Sequence, residues 1–508
     1  MRRLRKEQIV ATFILCGLLL QISGHISIQS DRDITNSKNS INSFEVIARH
    51  EESVILNREP QRVKQERVNL HNNESEGVEI TVGTDKGFNS EFFSGSGTVE
   101  DPYTLENLTI SYLYIAATTK HFKIQNCTFI STNNSNTQLK FWDIEEGGGM
   151  VVNNTFKGDN IFFLVSRFTG EYVQVQSNTF YSGFMYLKMG FSKNIHIENN
   201  NFTKTESVER YEVHPYETTN ITITNNFFHN LGEKGILLEV REQFEFSNNH
   251  LYETKLNLID VPLDISFTSY TIENNTVNGK KLKVLINEKQ REISGHYGQL
   301  ILIYCEDIII HNTTFIGGIT GLDSQFSTRI QILNSYFSGI NGTALIVSGM
   351  DHFICNNTFL SNKYAIQISD KVTITYNTFR DTTSYALIAS WYAKGVVHSN
   401  NFFHNNPNGS YQALADEDLM FYDVNSAQGN YWSDYDGSDT YVVFRGNPQH
   451  GDDFITVFDY FPSATPLGPY SGLFIPPWEE EPTKTSYLFF SLAFLFCFVC
   501  YRLRRKRI

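Results

Sequence analysis

A right-handed parallel β-helix of about twelve coils is the fold this sequence predicts, and two observations lead to it. One short phrase keeps returning: IQNCTF at Ile124 to Phe129, VVNNTF at Val151 to Phe156, IENNNF at Ile197 to Phe202, ITNNFF at Ile223 to Phe228 and ICNNTF at Ile354 to Phe359. Aligned on it, Phe129, Phe156, Phe180, Phe202, Phe228, Leu251, Val277, Phe315, Phe337, Phe359, Phe379 and Phe402 share one register at steps of 20 to 38 residues. Within each unit, apolar and polar residues alternate at the two-residue period of a strand, not at helical spacing. Repeats this short cannot bury an apolar side alone. Stacked about 4.8 Å apart, each Ile lies over the Ile below and each Phe over a Phe.

The Asn residues before each Phe suit a sharp bend, because Asn tolerates left-handed backbone angles and can pass amide hydrogen bonds between coils. Asn199 and Asn200, Asn248 and Asn249, and Asn274 and Asn275 are the clearest candidates for such a ladder. A second strand follows each Phe after a small residue, as at Gly235 before Ile236, Ala344 before Leu345 and Ala365 before Ile366. Each coil therefore has at least two strands.

Around this repeat, residues 77–120 form an N-terminal cap with turns at Gly95, Gly97 and Pro102, and residues 121–405 carry the coils. The charged stretch Lys280 to Glu292, inside the longest step, is expected to leave the coil as a hairpin. Residues 406–474 form an exit cap that hides the last open sheet edge. Residues 1–24 place Arg2, Arg3, Arg5 and Lys6 before the apolar run Ile9 to Ile22, the order of a signal peptide or signal anchor. A polar leader fills 25–76, and a Pro- and Glu-rich stalk fills 475–484. Residues 485–501 read as a transmembrane helix, and the basic tail 502–508 is expected in the cytoplasm with the solenoid outside.

A formal net charge of -14 over 508 residues excludes the basic stripe that a nucleic-acid partner requires. Neutral sugars or cations suit such a chain better. Cys127, Cys305 and Cys355 are far apart and read as buried apolar residues, not as disulfide or metal partners. Sequons at Asn107, Asn220, Asn341 and Asn408 are the candidate glycan acceptors, since the others fall on the repeated phrase itself.

The phrases GSGTVEDPYTLENLTI, NTVNGKKL followed by GQLILIYCEDIIIHNTTF, the NNTF coils and the closing GNYWSDYDG together resemble the right-handed parallel β-helix surface proteins of archaeal type. Those are related to the NosD-type periplasmic copper-protein family and to carbohydrate-binding and sugar-hydrolysing β-helix domains. The resemblance spans about residues 78–466 and implies fold more than function. Its copper role needs clustered soft or imidazole ligands, whereas the 6 Met and 14 His here are scattered.

Two clusters could carry chemistry. Consecutive coils place Glu212 and His214, then Glu239 and Arg241, then Asp260 and Asp264 at comparable phases, so one strand face could hold paired carboxylates for sugar hydrolysis. In DYDGSD, Asp434, Asp436 and Asp439 alternate around Gly437 in a pattern compatible with Ca²⁺, although the bidentate Glu of a full calcium loop is missing. Tyr431, Trp432, Trp391 and Tyr392 could stack on sugar rings or simply pack. These features lead to the expectation of a membrane-anchored surface protein that binds glycan. A polysaccharide hydrolase or lyase and a purely structural surface protein are the alternatives.

Overall fold

The computed structural model describes residues 77–469 apart from 90, 132–136, 206–210, 240–242, 260, 262–269, 391, 408, 410, 416–417 and 447–454. The expected signal, leader, stalk, membrane helix and basic tail lie outside the described residues. Among the described residues the chain is all-β, with one short 3-10 helix at Asp85–Phe88, and no helix is long and apolar enough to cross a membrane. It is a parallel β-solenoid of about twelve turns.

Each coil grows from alternation. In Thr219–Thr224, Ile221 and Ile223 point inward while Thr222 and Thr224 point outward, because successive side chains leave opposite faces of a strand. Stacking in register then puts Phe180 on Phe202 and Phe202 on Phe228. Their rings lie parallel at 4.7 and 4.9 Å, continuing the Phe129, Phe156 and Phe180 stack at 4.4 and 4.5 Å. Each such ring removed from water contributes about 1.5–3 kcal/mol.

The paired Asn residues divide the work of the bend. The first of each pair, including Asn199, Asn248 and Asn274, takes a left-handed φ of 56 to 57° at the exposed outside of the corner. The second is buried and forms the ladder. Asn200 donates both its main-chain N–H and its Nδ2 to Oδ1 of Asn226, at 2.9 and 3.0 Å, and also gives Nδ2 to the carbonyls of Val175 and Glu198. Asn154, Asn178, Asn226 and Asn249 each give a main-chain N–H and a side-chain N–H to the next corner in the same way, ending on Asn275.

At Val277 the stack breaks. Asn278 and Gly279, with φ of 48 and 73°, reverse the chain so that Val277 pairs antiparallel with Lys280. The charged stretch that follows does not leave as a hairpin. Lys280–Ile286 and Lys289–Tyr297 form the first coil of a second run, paired parallel with Gln299–Ile303 and Glu306–Ile316. Tyr297, in register with Phe315, is the rung inside the longest sequence step. Phe315, Phe337, Phe359, Phe379 and Phe402 then stack at 4.7 to 5.1 Å.

The second run covers the open end of the first with the side of its own sheet. Every residue of Gln299–Ile303 is buried: Leu300 and Leu302 belong to the core of the second run, while Ile301 and Ile303 pack on the core of the first. The Gln299 side chain stands in for a missing strand, accepting from the Leu256 N–H at 3.1 Å and donating to the Leu256 carbonyl at 2.9 Å. Beside it lies Asp323, only 4% exposed. One of its oxygens accepts from Gln325 at 3.1 Å and the other has no partner. Burial pushes the Asp323 carboxyl above the usual carboxylate range, although Lys255 across the junction and Gln325 pull the other way.

The exit cap ends two corner ladders on carboxylates. Asn357, Asn377 and Asn400 pass their amide bonds to Asn430, whose N–H and Nδ2 reach Asp459 at 2.7 and 3.1 Å. At a second corner, Asn405 gives Nδ2 to Gln412, and Gln412 gives Nε2 to Asp434 at 2.6 Å. An ionised carboxylate only accepts, so it suits the end of a ladder whose bonds from corner amide to corner amide all donate toward the C-terminus. The ring stack closes there too. Trp432 lies on Phe402 at 4.1 Å with its indole N–H on Asp459, and Tyr441 lies on Trp432 at 4.5 Å with its hydroxyl on Asp434.

Two stability experiments test this account. Asn226→Ala strands the main-chain N–H of Asn200 and removes further bonds to the Asn200 amide and to the carbonyls of Ile197 and Thr224, and should cost about 2–4 kcal/mol in denaturant unfolding. Asp323→Asn should act in the opposite direction. A carboxyl with a raised pKa stabilises the fold most when protonated and loses that contribution as pH rises from its unfolded pKa through its folded one. The variant should therefore melt higher than the native protein at neutral pH, and the gap should close in acid.

Candidate functional site

Of the six residues expected to share a catalytic face, the structure brings two together. His214 and Glu239, on adjacent coils, approach to 3.6 Å between Nε2 and Oε1, with side chains 12% and 10% exposed. The Glu217 main-chain N–H also donates to Glu239, at 2.8 Å. Glu212 lies on the same strand as His214, opposite Tyr186, and its side chain is outside the described residues. Arg241, Asp260 and Asp264 are also outside them. A His against one carboxylate can exchange a proton, but it is not the pair of carboxylates that glycoside hydrolysis uses.

Asp434, Asp436 and Asp439 have separate surroundings. Both Asp434 and Asp436 are exposed, but Asp434 accepts from Gln412 and Tyr441, whereas Asp436 accepts from the Ser438 N–H at 3.0 Å, which holds its carboxyl below the usual range against slight desolvation. Among the described residues, no group of three or more His, Cys, Asp or Glu is placed to hold a metal ion. Of the glycan acceptors, Asn107 is exposed, Asn220 gives its amide to Asn194, Asn341 gives its amide to Glu253, and Asn408 is outside the described residues.

Among the aromatic candidates, Trp432 is buried in the closing ring stack, Tyr392 is 61% exposed, and Trp391 is outside the described residues. The structure adds a row that periodicity alone did not separate from the core. Register places Tyr181, Thr203, His229 and Tyr252 in one outward line and Asn201, Phe227 and His250 in the next. The ring planes of Phe227, His229 and Tyr252 are nearly parallel and stacked: Phe227 to His229 is 6.1 Å at 9°, and His229 to Tyr252 is 5.1 Å at 12°. Tyr181, Phe227 and Tyr252 are 54, 42 and 48% exposed. The signal available in the sequence was the extra aromatic residue beside the buried rung, as in NFFH and HLYE.

Residues 263–437, about a third of the chain, match the family model described as periplasmic copper-binding protein (NosD). No curated protein matches. A solved structure described as a mannuronic acid specific polysaccharide family 6 lyase from human gut microbiota is 11% identical, over 65% of this chain and 79% of that one, with a TM-score of 0.22. The donor set does not fit copper. Cys127, Cys305 and Cys355 are buried, and the thiols of Cys127 and Cys305 are turned onto backbone carbonyls. His352, inside the matched segment, is buried and desolvated, with its pKa lowered to about 4.

Single Asn substitutions separate a capping role from a shared cation. Asp434→Asn removes the anionic acceptor of Gln412 and Tyr441 and should lower the melting temperature, whereas Asp436→Asn and Asp439→Asn should leave it unchanged. Equal losses in all three, abolished by a calcium chelator, would mean that the carboxylates share Ca²⁺.

Proposed function

We propose that this protein is a membrane-anchored cell-surface β-helix that binds glycan along the exposed aromatic row of its first run. The observation that carries this reading is the set of nearly parallel, stacked rings on adjacent coils at Phe227, His229 and Tyr252, with Phe227 and Tyr252 exposed. Exposed apolar rings cost solubility unless something covers them. The apolar face of a sugar suits flat rings, while its hydroxyls stay near polar neighbours such as Asn201 and His250. The acidic composition, the predicted export signal and the predicted C-terminal span agree with an extracellular binding surface.

The contact between His214 and Glu239 supports a second reading, a polysaccharide-cleaving enzyme. A glycan array read beside a reducing-sugar assay, both on the purified full-length protein, separates the two. Binding without turnover is expected, with Tyr252→Ala weakening it by roughly tenfold, the equivalent of about 1.4 kcal/mol. Turnover abolished by Glu239→Gln would replace the binding reading with the enzymatic one. Absence of any saccharide binding would leave a structural surface protein.

A further inference from the structure

The second run carries a separate surface feature near its exit end. Thr378, Asn401 and Tyr431 stack in one outward line, and Arg380 and Phe403 in another, on the same kind of narrow strand that bears the aromatic row of the first run. Asp381 and His404 follow at the corner, with left-handed φ of 54 and 51°. Together with Ser433 these side chains line an open groove of about 440 Å³. That volume suits a ligand of one or two sugar rings.

Arg380 lies over the Phe403 ring at 4.5 Å, and Tyr431 tilts against the same ring at 5.2 Å. Among the described residues, the Arg380 guanidinium makes no ion pair or hydrogen bond, and its contact is with the Phe403 ring. Arg329 shows the structural alternative. Its guanidinium is clamped by both oxygens of Asp307, at 2.6 and 3.0 Å, and by Glu306. Arg329 is thus neutralised by acids, whereas Arg380 lies over an aromatic ring, as Arg167 lies over Trp142 at 5.5 Å, and it lines the groove. Stacking on Phe403 limits the motion of the side chain, so less entropy is lost when its planar fork engages an anion.

We propose that this groove is a second saccharide site, selective for a sugar unit that carries a carboxylate or sulfate. Arg380 takes the acidic group, Phe403 and Tyr431 face the ring, and Asp381 accepts from a ring hydroxyl. This inference rests on the glycan-binding reading but uses different residues from the aromatic row.

The test compares the native full-length protein with Arg380→Gln and Tyr252→Ala on immobilised neutral, carboxylated and sulfated oligosaccharides, with carboxyl-reduced counterparts as controls. Acidic oligosaccharides should bind more tightly than their reduced forms. Arg380→Gln should weaken that binding roughly ten- to hundredfold, as expected for loss of a charge-assisted hydrogen bond, and leave neutral binding intact. Tyr252→Ala should show the reverse pattern, and unchanged circular dichroism would confirm that both variants are folded. Equal binding of acidic and reduced forms, no acidic binding, or full acidic binding by Arg380→Gln would each overturn the assignment. Neutral binding that persists in any of these cases leaves the general glycan reading standing.

Discussion

Everything in this molecule depends on the hydrogen bonds that pass from one corner to the next. A solenoid coil must turn inward sharply, which exposes main-chain donors to an apolar interior. Here the donors of each corner are taken by a single amide oxygen of the following coil, and the amide nitrogen of that coil repeats the step. The outer Asn supplies the left-handed turn and the inner Asn supplies the bonding, so the paired Asn of the repeat solve two problems at once. The ring stack can run straight because the corners hold register.

A chain of aligned amides has direction, and the ends of the molecule are built around it. Asp459 and Asp434 sit where the donating ends of two ladders emerge, and the last aromatic rungs also give their polar atoms to these carboxylates. The acidic DYDGSD motif is thereby partly absorbed into the cap. The break at Val277 solves a different difficulty, the open end of the first run. A strand buried on both faces and one glutamine side chain cover it, while burial in the same junction pushes the Asp323 carboxyl up and the Lys255 amine down, each toward its neutral form.

Function on such a scaffold is written on the outward positions, which the core does not constrain. The narrow strand alternates a buried rung with an outward residue on each side, and stacking aligns those outward residues into lines about 4.8 Å apart. Phe227, His229 and Tyr252 occupy such lines in the first run, and Arg380, Phe403 and Tyr431 do so in the second. A polymer with a regular repeat can be met by such a surface without a deep pocket.

The sequence by itself determined the coil, its Phe rungs and its Asn corners, because each is a local pattern repeated about once per turn and constrained by the same stacking. It also showed which corner residues were Asn, but not that the two neighbours divide their roles, since both carry the same side chain and differ only in backbone angle and burial. Only the tertiary structure decided that Tyr297 is a rung, that Gln299 serves Leu256 across 43 residues, and that Lys363 meets Glu233 across 130. It also drew His214 and Glu239 together and laid Arg380 over the Phe403 ring. The contacts of Gln299 with Leu256 and of Lys363 with Glu233 join positions whose separation follows no period and exist only once the two runs have met, whereas His214 and Glu239 lie at comparable phases on adjacent coils, which the repeat along the chain does announce.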